Sequence, residues 1–458
     1  METQLHTLLQ RSDGKKIMVL GTTELFSRDE IARYLERYGI TLTDRPDEET
    51  IASIESAHLG AYEEMASEEA YTRGLPRYTL AHFEALLSKS LDGDSIRMVL
   101  KLSRDTARLV RLLANPHITD DLFVALLRMY DWEGEELMES SRNRKVLQAL
   151  LKRFLALGPT QYDKLHSPVT LLQLVEETRN ADLLDALLAL PPLSFRHRGG
   201  TLTLEEAIAS NPALSKETIR RLYRTGDTPI LTRLAANPAT DAEILHRLHS
   251  AHERSIDQAL STHPAIDEAL FDALLEGEEE IVRTLLAHQP IDAARYAKIR
   301  MHAFDDALLA EIGANPHLDA ALRRSLLESA NPALRMNLAA NPTLTSEELD
   351  SLYAADPEAL APAIAANPSA AHRTLRALQK VAEERSDVAV ALASNPSAEE
   401  GVLRALYALQ LFEVHEALAA NPSTPMDLLD RLKLDPAFRE ALTRNRSFTD
   451  RIKRELGL

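Results

Sequence analysis

Three histidines fall three apart in HRLHSAH: His246, His249 and His252. On a helix that spacing sets neighbouring imidazoles one turn apart, which is how two of them come to share a metal ion. No carboxylate at a fixed spacing accompanies them, and the helix that carries them is due to end there. They therefore read as solvated side chains of an outer helix. A second place with chemistry is Gly21-Thr22-Thr23, at the end of an apolar run, where two hydroxyls can donate at a strand end. The alternative is a pair of turn residues that satisfy their own backbone. LEGEEEI (Leu275 to Ile281) is an acidic corner and reads as a solvated turn. RLKLDPAFREALTRNRSFTDRIKREL, from Arg431 to Leu456, is locally basic. It reads as a helix-cap surface, the alternative being a place for an acidic partner. Tyr130 and Trp132, the latter the single Trp of the chain, are expected to cap a junction between helices. No P-loop, Gly-rich dinucleotide turn, Gly-x-Ser-x-Gly or His-Glu-x-x-His motif occurs. The expectation is no catalytic residue, no metal ligand and no cofactor, with the partner-binding residues unknown.

Bulk composition bounds the possible functions. The 458 residues exceed one ordinary core, so several folding units are expected. Against 70 Asp and Glu stand 52 Lys and Arg, a net charge of −18. Binding nucleic acid by neutralising phosphates needs a basic surface, so nucleic-acid contact is disfavoured outside a local patch. With no Cys, disulfides, thiolate metal sites and Cys nucleophiles are excluded. The N-terminal METQLHTLLQRSDGKK has no long apolar run, and no stretch approaches the roughly 20 apolar residues of a membrane span. A cytoplasmic location and no membrane partner are expected.

What must position any site is a periodic array. Prolines stand at 212, 238, 264, 290, 316, 342, 368, 396 and 422, with Arg446 in the last equivalent place. The steps are 26 residues, except for one of 28 and a last one of 24. Most of these prolines follow Asn, and a fixed period of this length is the mark of a solenoid. Eight residues before each Pro stands Leu, Ile or Val, from Leu204 to Val414, and four before it Ile or Leu, from Ile208 to Leu418. That spacing is one helix face. Proline ends the helix because its predecessor is pushed out of the α region and it has no N–H to give. N-caps are expected at Ser215, at Thr240 with Glu243 and at Thr345 with Glu348, with Pro425 at a first helical position after Thr424. A second helix follows, apolar seven and ten past the Pro, as at Ile219 and Leu222 or Leu429 and Leu432. After Pro290 those places hold Ala297 and Arg300, so a register shift or a kink is expected there. Ile452 and Leu456 belong to a polar terminal cap.

Residues 1–90 differ in kind. KKIMVLGTT predicts a strand, and SRDEIARYLERYG a helix capped by Ser27 and Glu30, with Ile31, Tyr34, Leu35 and Tyr38 on its apolar face and Gly39 at its end. ITLTD and ETIASIES predict strands, YEEMASEEAYTRGL a helix, PRYT a short strand and LAHFEALLSK a final helix. The order β-α-β-β-α-β-α implies a small α/β domain of parallel character. Residues 91–200 hold one complete unit around Pro116, with Leu112, Phe123 and Leu126 as its core. The stretches WEGEELMESSRNRKVLQALLKRFLAL and LLQLVEETRNADLLDALLALPPL then predict amphipathic helices. SFRHRGG (Ser194 to Gly200) predicts a polar loop, the best candidate for a break. Three regions are expected: a head at 1–90, diverged helical repeats at 91–200 and a regular array at 201–458.

GKKIMVLGTTELFSRDEIARYLERYGITLT and EEAYTRGLPRYTLAHFEALLS, in this order, resemble a BRCT domain over residues 14–90, particularly the single ones at the ends of bacterial DNA ligases. That resemblance implies protein or DNA-end binding, sometimes of phosphopeptides. In phosphate-binding relatives a Ser or Thr precedes the Gly after the first strand and a Lys lies on the second helix. Here Leu20 precedes Gly21, and the helix carries Glu63, Glu64, Glu68 and Glu69, which repel a phosphate dianion. Residues 1–90 hold 10 basic against 16 acidic side chains, which also speaks against DNA ends. The AANPxTxxxLxxL pattern over 201–458, together with the unit at Pro116, resembles the leucine-rich repeat variant family, an all-helical solenoid. The resemblance implies a right-handed superhelix of alternating short and longer helices. A Cys-ligated iron–sulfur module known beside such repeats has no counterpart in a chain without Cys. Together the readings favour a non-enzymatic adaptor that binds proteins, the alternative being a DNA repair or replication accessory. Oligomeric state is not legible.

Overall fold

The computed structural model describes residues 2–455, except 24, 135, 136, 138, 156–167, 198, 199, 226 and 303. Two compact units divide the chain, Met1–Ala239 and Thr240–Leu458. A small α/β region with a four-stranded parallel sheet opens the first, and helices make up most of the remaining chain.

The first unit starts with a helix that the sequence does not announce, α1 (Glu2–Gln10), whose Leu5 and Leu9 are buried one turn apart. Then come β1 (Lys16–Leu20), α2 (Arg28–Glu36), β2 (Thr41–Thr43), β3 (Thr50–Glu55), α3 (Ala61–Thr72), β4 (Arg77–Thr79) and α4 (Leu80–Lys89). All strands run parallel in the order β2-β1-β3-β4. The capping box at Ser27 and Glu30 forms, and Ile31, Tyr34 and Leu35 face inward. After α5 (Gly93–Ser103), the helices α6 (Thr106–Ala114) and α7 (Asp120–Leu127) flank Pro116, with Leu112, Phe123 and Leu126 buried.

Three expectations for the middle are corrected. The helix expected from Trp132 begins only at α8 (Ser141–Phe154), where the Ser140 hydroxyl accepts from the first free N–H groups. The stretch 171–193 is not one helix but the end of α9 (Pro168–Glu177) and then α10 (Ala181–Leu187). Asn180 makes the break, its side chain accepting from the Leu183 N–H at 3.0 Å. The expected loop at 194–200 contains β5 (Ser194–His197), paired antiparallel with β6 (Gly200–Thr203). Phe195, buried between polar Ser194 and Arg196, supplies the alternation that a strand needs. The unit closes with α11 (Leu204–Ala209), α12 (Lys216–Tyr223) and α13 (Thr228–Ala236).

In the second unit first and second helices alternate. First helices such as Pro332–Ala340, Pro357–Ala366, Ser386–Ser394 and Phe412–Ala420 each pack on the next one. The residues eight and four before each Pro are buried throughout, as are the apolar pairs named after it. Two caps are corrected. Asp241, not Thr240, receives the Ile244 N–H, and Thr240 is buried. Pro425 is the cap residue before Met426–Leu432 rather than the first helical one, and the Thr424 hydroxyl donates back to the Leu418 carbonyl. After Pro290 the register does shift by one residue: Ala297 and Arg300 are exposed, and Ile299 is the buried residue of Ala293–Met301. Leu456 lies outside the described residues.

The Asn of each Asn-Pro carries more than the corner. Asn367 donates from Nδ2 to the carbonyls of Ala339 and Asn341 in the preceding repeat, both at 2.8 Å, and its Oδ1 accepts from the Ser369 N–H at 2.9 Å. Asn341, Asn395, Asn421 and Asn445 repeat the two-carbonyl contact. Within the first unit Asn237 makes it to Ala209 and Asn211. These are helix-end carbonyls without an intrahelical partner, so each buried Asn caps the helix before it. Where Gln289 replaces Asn, its Nε2 reaches the carbonyls of Ser261 and His263. A second ladder of hydroxyls runs beside it: Ser369, Ser397, Ser423 and Ser447 donate to the carbonyls of Pro342, Pro368, Pro396 and Pro422.

One rung is unusually tight. Gly313 stands where most other repeats have a buried Ala, and a Cβ there would lie 2.7 Å from the Leu334 carbonyl oxygen and 2.9 Å from the Leu338 nitrogen. Gly→Ala in a helical turn ordinarily stabilises through the unfolded state. Here Gly313→Ala is expected to destabilise by about 1–3 kcal/mol through overpacking. Chemical denaturation of the two proteins gives the sign.

Candidate protein-interaction site

None of the places singled out for chemistry assembles into a catalytic or metal centre among the described residues. His246 and His249 lie on the helix Ala242–His249, and His252 follows it in a left-handed conformation. Contrary to expectation each helical imidazole has its own carboxylate: His246 Nε2 is 2.8 Å from Asp267 and His249 Nδ1 is 2.8 Å from Asp257. The His246 contact holds the Asp267 carboxyl below its ordinary range. The rings are thus spent on separate pairs, and no described group of three His, Asp or Glu is arranged to hold a metal. Tyr130 and Trp132 meet edge to face at 5.0 Å, and the Tyr130 hydroxyl donates to Asn143. That is a packed junction, as expected.

At the end of β1 the strand N–H is already occupied. Gly21 donates to Glu63 Oε1 at 2.9 Å and Gly60 to Glu63 Oε2 at 2.8 Å. These two backbone donors, Gly60 first, hold the Glu63 carboxyl below its usual range. Gly21 sits at φ +92°, and a Cβ there would fall 2.5 Å from that of Ser56. An incoming phosphate would meet a fixed carboxylate at the donor it needs. Among the described residues, which do not include the neighbouring Glu24, neither the Thr22 nor the Thr23 hydroxyl has a partner.

The surface that does stand out was hidden by the repeat pattern. Asp92 caps α5 through the Ser95 N–H, and Ile96 and Leu100 turn inward. On the opposite face Leu102 is 82% exposed and Met98 66%, one turn apart, with Val99 beside them. An isolated exposed Leu is ordinary, whereas three large apolar side chains on one short helix form a patch. Val99 also lips a cleft of about 230 Å³ between α2, α4 and α5. Deep in it the Glu30 carboxylate meets Arg108, and Arg111 at 3.7 Å. Arg33 and Arg37 line the same cleft. Lys101 and Arg104 stand at the far end of α5. Among the described residues none of these last four has a carboxylate partner. In a chain of net charge −18 this surface sets exposed apolar side chains beside four cations, with Asp92, Asp105 and Asp131 also in its lining.

Comparison with protein-family models, with curated proteins and with solved structures returned no match.

Proposed function

We propose that the chain is a non-enzymatic interaction adaptor whose BRCT-like head and first following helices hold an acidic, partly apolar segment of a partner protein. The carrying observation is the uncovered Met98–Val99–Leu102 stripe of α5 beside the arginine-lined cleft. Apolar anchors supply contact area, and cations at their edge select a partner of opposite charge. The parallel strands and the interleaved helices of residues 14–90 support the BRCT-like reading. The recurrent first helices and their Asn ladder support a leucine-rich repeat variant type of solenoid over 201–458, with the stretch 91–200 as diverged repeats. Such an array offers an extended surface for further protein contacts. No described helix is long and apolar enough to cross a membrane, and a cytoplasmic location goes with this reading.

The four cations without carboxylate partners favour one alternative, a DNA repair or replication accessory that meets phosphates at this patch. Phosphate contact has no use for Leu102 and Met98, whereas a protein partner does. The double variant Met98→Asp/Leu102→Asp is expected to fold with stability within about 0.5 kcal/mol of wild type, as surface changes usually do, and to lose the partner. Salt-dependent binding of the full chain to nicked or single-stranded DNA, unchanged in that variant, would favour the alternative instead.

A further inference from the structure

The cleft between α2, α4 and α5 is narrow. Its volume of about 230 Å³ lies below the roughly 300–1,000 Å³ of sites that enclose a whole drug-sized ligand. It therefore has room for one side chain and none for a helix. Phe26, Leu87 and Ile96 are buried in its wall, and Val99 stands exposed at its lip. Most of the polar lining is already engaged. Glu30 accepts from the Ser27 N–H at 2.8 Å and meets Arg108 and Arg111. Asp92 caps α5 through Ser95, and the Ser90 hydroxyl donates to the Leu87 carbonyl at 2.7 Å. Arg33 and Arg37 remain, one turn apart at the end of α2 and both exposed. Arg33 donates from Nε to the Asp29 carbonyl at 3.2 Å, which leaves its two terminal nitrogens for a ligand. In the lining as a whole Arg33, Arg37 and Arg108 stand against Glu30 and Asp92, an excess of one positive charge.

We infer that the partner's segment sets one apolar side chain into this cleft and a neighbouring carboxylate against Arg33 and Arg37. The inference rests on the adaptor reading and names the group that the head selects. Guanidiniums take a carboxylate through paired, charge-assisted hydrogen bonds. One excess positive charge matches a carboxylate, whereas a phosphate dianion would be left facing Glu30 and Asp92. The apolar wall beside the ion pair keeps water from it and so strengthens it. Selection for both features side by side rejects an acidic run without an apolar residue as well as an apolar run without a charge.

Ligand-observed NMR titrations of the full chain with N-acetyl-phenylalanine, its uncharged amide, acetate and phenyl phosphate test it. N-acetyl-phenylalanine is expected to bind about tenfold or more tightly than the amide and than acetate, and more tightly than phenyl phosphate. Its advantage over the amide should shrink as salt rises. Arg33→Gln/Arg37→Gln alters two exposed side chains and is expected to fold as wild type does, yet to bring acid and amide within about twofold of each other. Equal binding of acid and amide by wild type, a preference for the phosphate, or an acid preference that survives the double variant would overturn the inference. Capture of a partner that depends on Met98 and Leu102 but ignores Arg33→Gln/Arg37→Gln would sink the inference and leave the adaptor reading standing. The adaptor reading falls separately, if wild type captures no partner, whatever the small probes do.

Discussion

Replacing Asn367 by Ala is expected to lower the stability of the second unit by about 3 kcal/mol, since a buried helix-end group left unsatisfied costs about 1–3 kcal/mol. The substitution removes the only donor to the Ala339 carbonyl among the described residues, one of two to the Asn341 carbonyl, which keeps the Leu344 N–H at 3.3 Å, and the acceptor of the Ser369 N–H, all at a fully enclosed site. Asn367→Asp should be no better, because a carboxylate cannot donate and would be buried against two carbonyl oxygens. Ser369→Ala removes only the exposed bond to the Pro342 carbonyl, and a loss of about 0.5 kcal/mol is expected. Because stability in repeat arrays is a sum of neighbour terms, the lesion should be felt locally first. Urea unfolding followed by far-UV circular dichroism measures it. Tryptophan fluorescence does not, as Trp132 is the only Trp and lies in the other unit.

The second large effect concerns Glu55, a carboxylate buried beneath the head sheet. Burial alone pushes its pKa up. Arg77 from β4 together with the hydroxyls of Ser53 and Ser67 more than offsets that, and the group ends below its ordinary value. Arg77→Ala would strand the charge, and a loss of about 2 kcal/mol at neutral pH is expected. Half exposure of the Arg77 side chain places the loss below the usual range for buried pairs. The sign with pH follows from the depressed folded value. In wild type the Glu55 contribution is present above the ordinary carboxylate value of about 4.3 and is lost as pH falls through the lower folded one. In Arg77→Ala burial dominates, the folded value rises, and the penalty shrinks as the solution is acidified. Hydrogen exchange of the β3 amides across pH reads both curves.

The alternation of short apolar runs and capped helices made the head readable from β1 onward, since each element there is signalled by local residues. The helix α1 escaped because two leucines one turn apart are too few to mark a face. In the array, period and helix faces were plain, and proline was credited with the corner. The share of Asn was invisible because its partners lie one full repeat back, and no local rule links residue 367 to the carbonyls of 339 and 341. The α5 surface was missed for the opposite reason. DSIRMVLKLS merges into the unit at Pro116, and its apolar residues pass as core when counted without knowing which face turns inward. Pairs such as His249 with Asp257 depend likewise on how successive helices pack.

The adaptor reading is tested most directly by capture from native cells with the full chain as bait, wild type against Met98→Asp/Leu102→Asp. The reading predicts a protein with an acidic, partly apolar segment that wild type retains and the double variant loses, and that binds again as purified protein with an affinity that falls as salt rises. Retention of the same proteins by both baits, or of none by wild type, would contradict it.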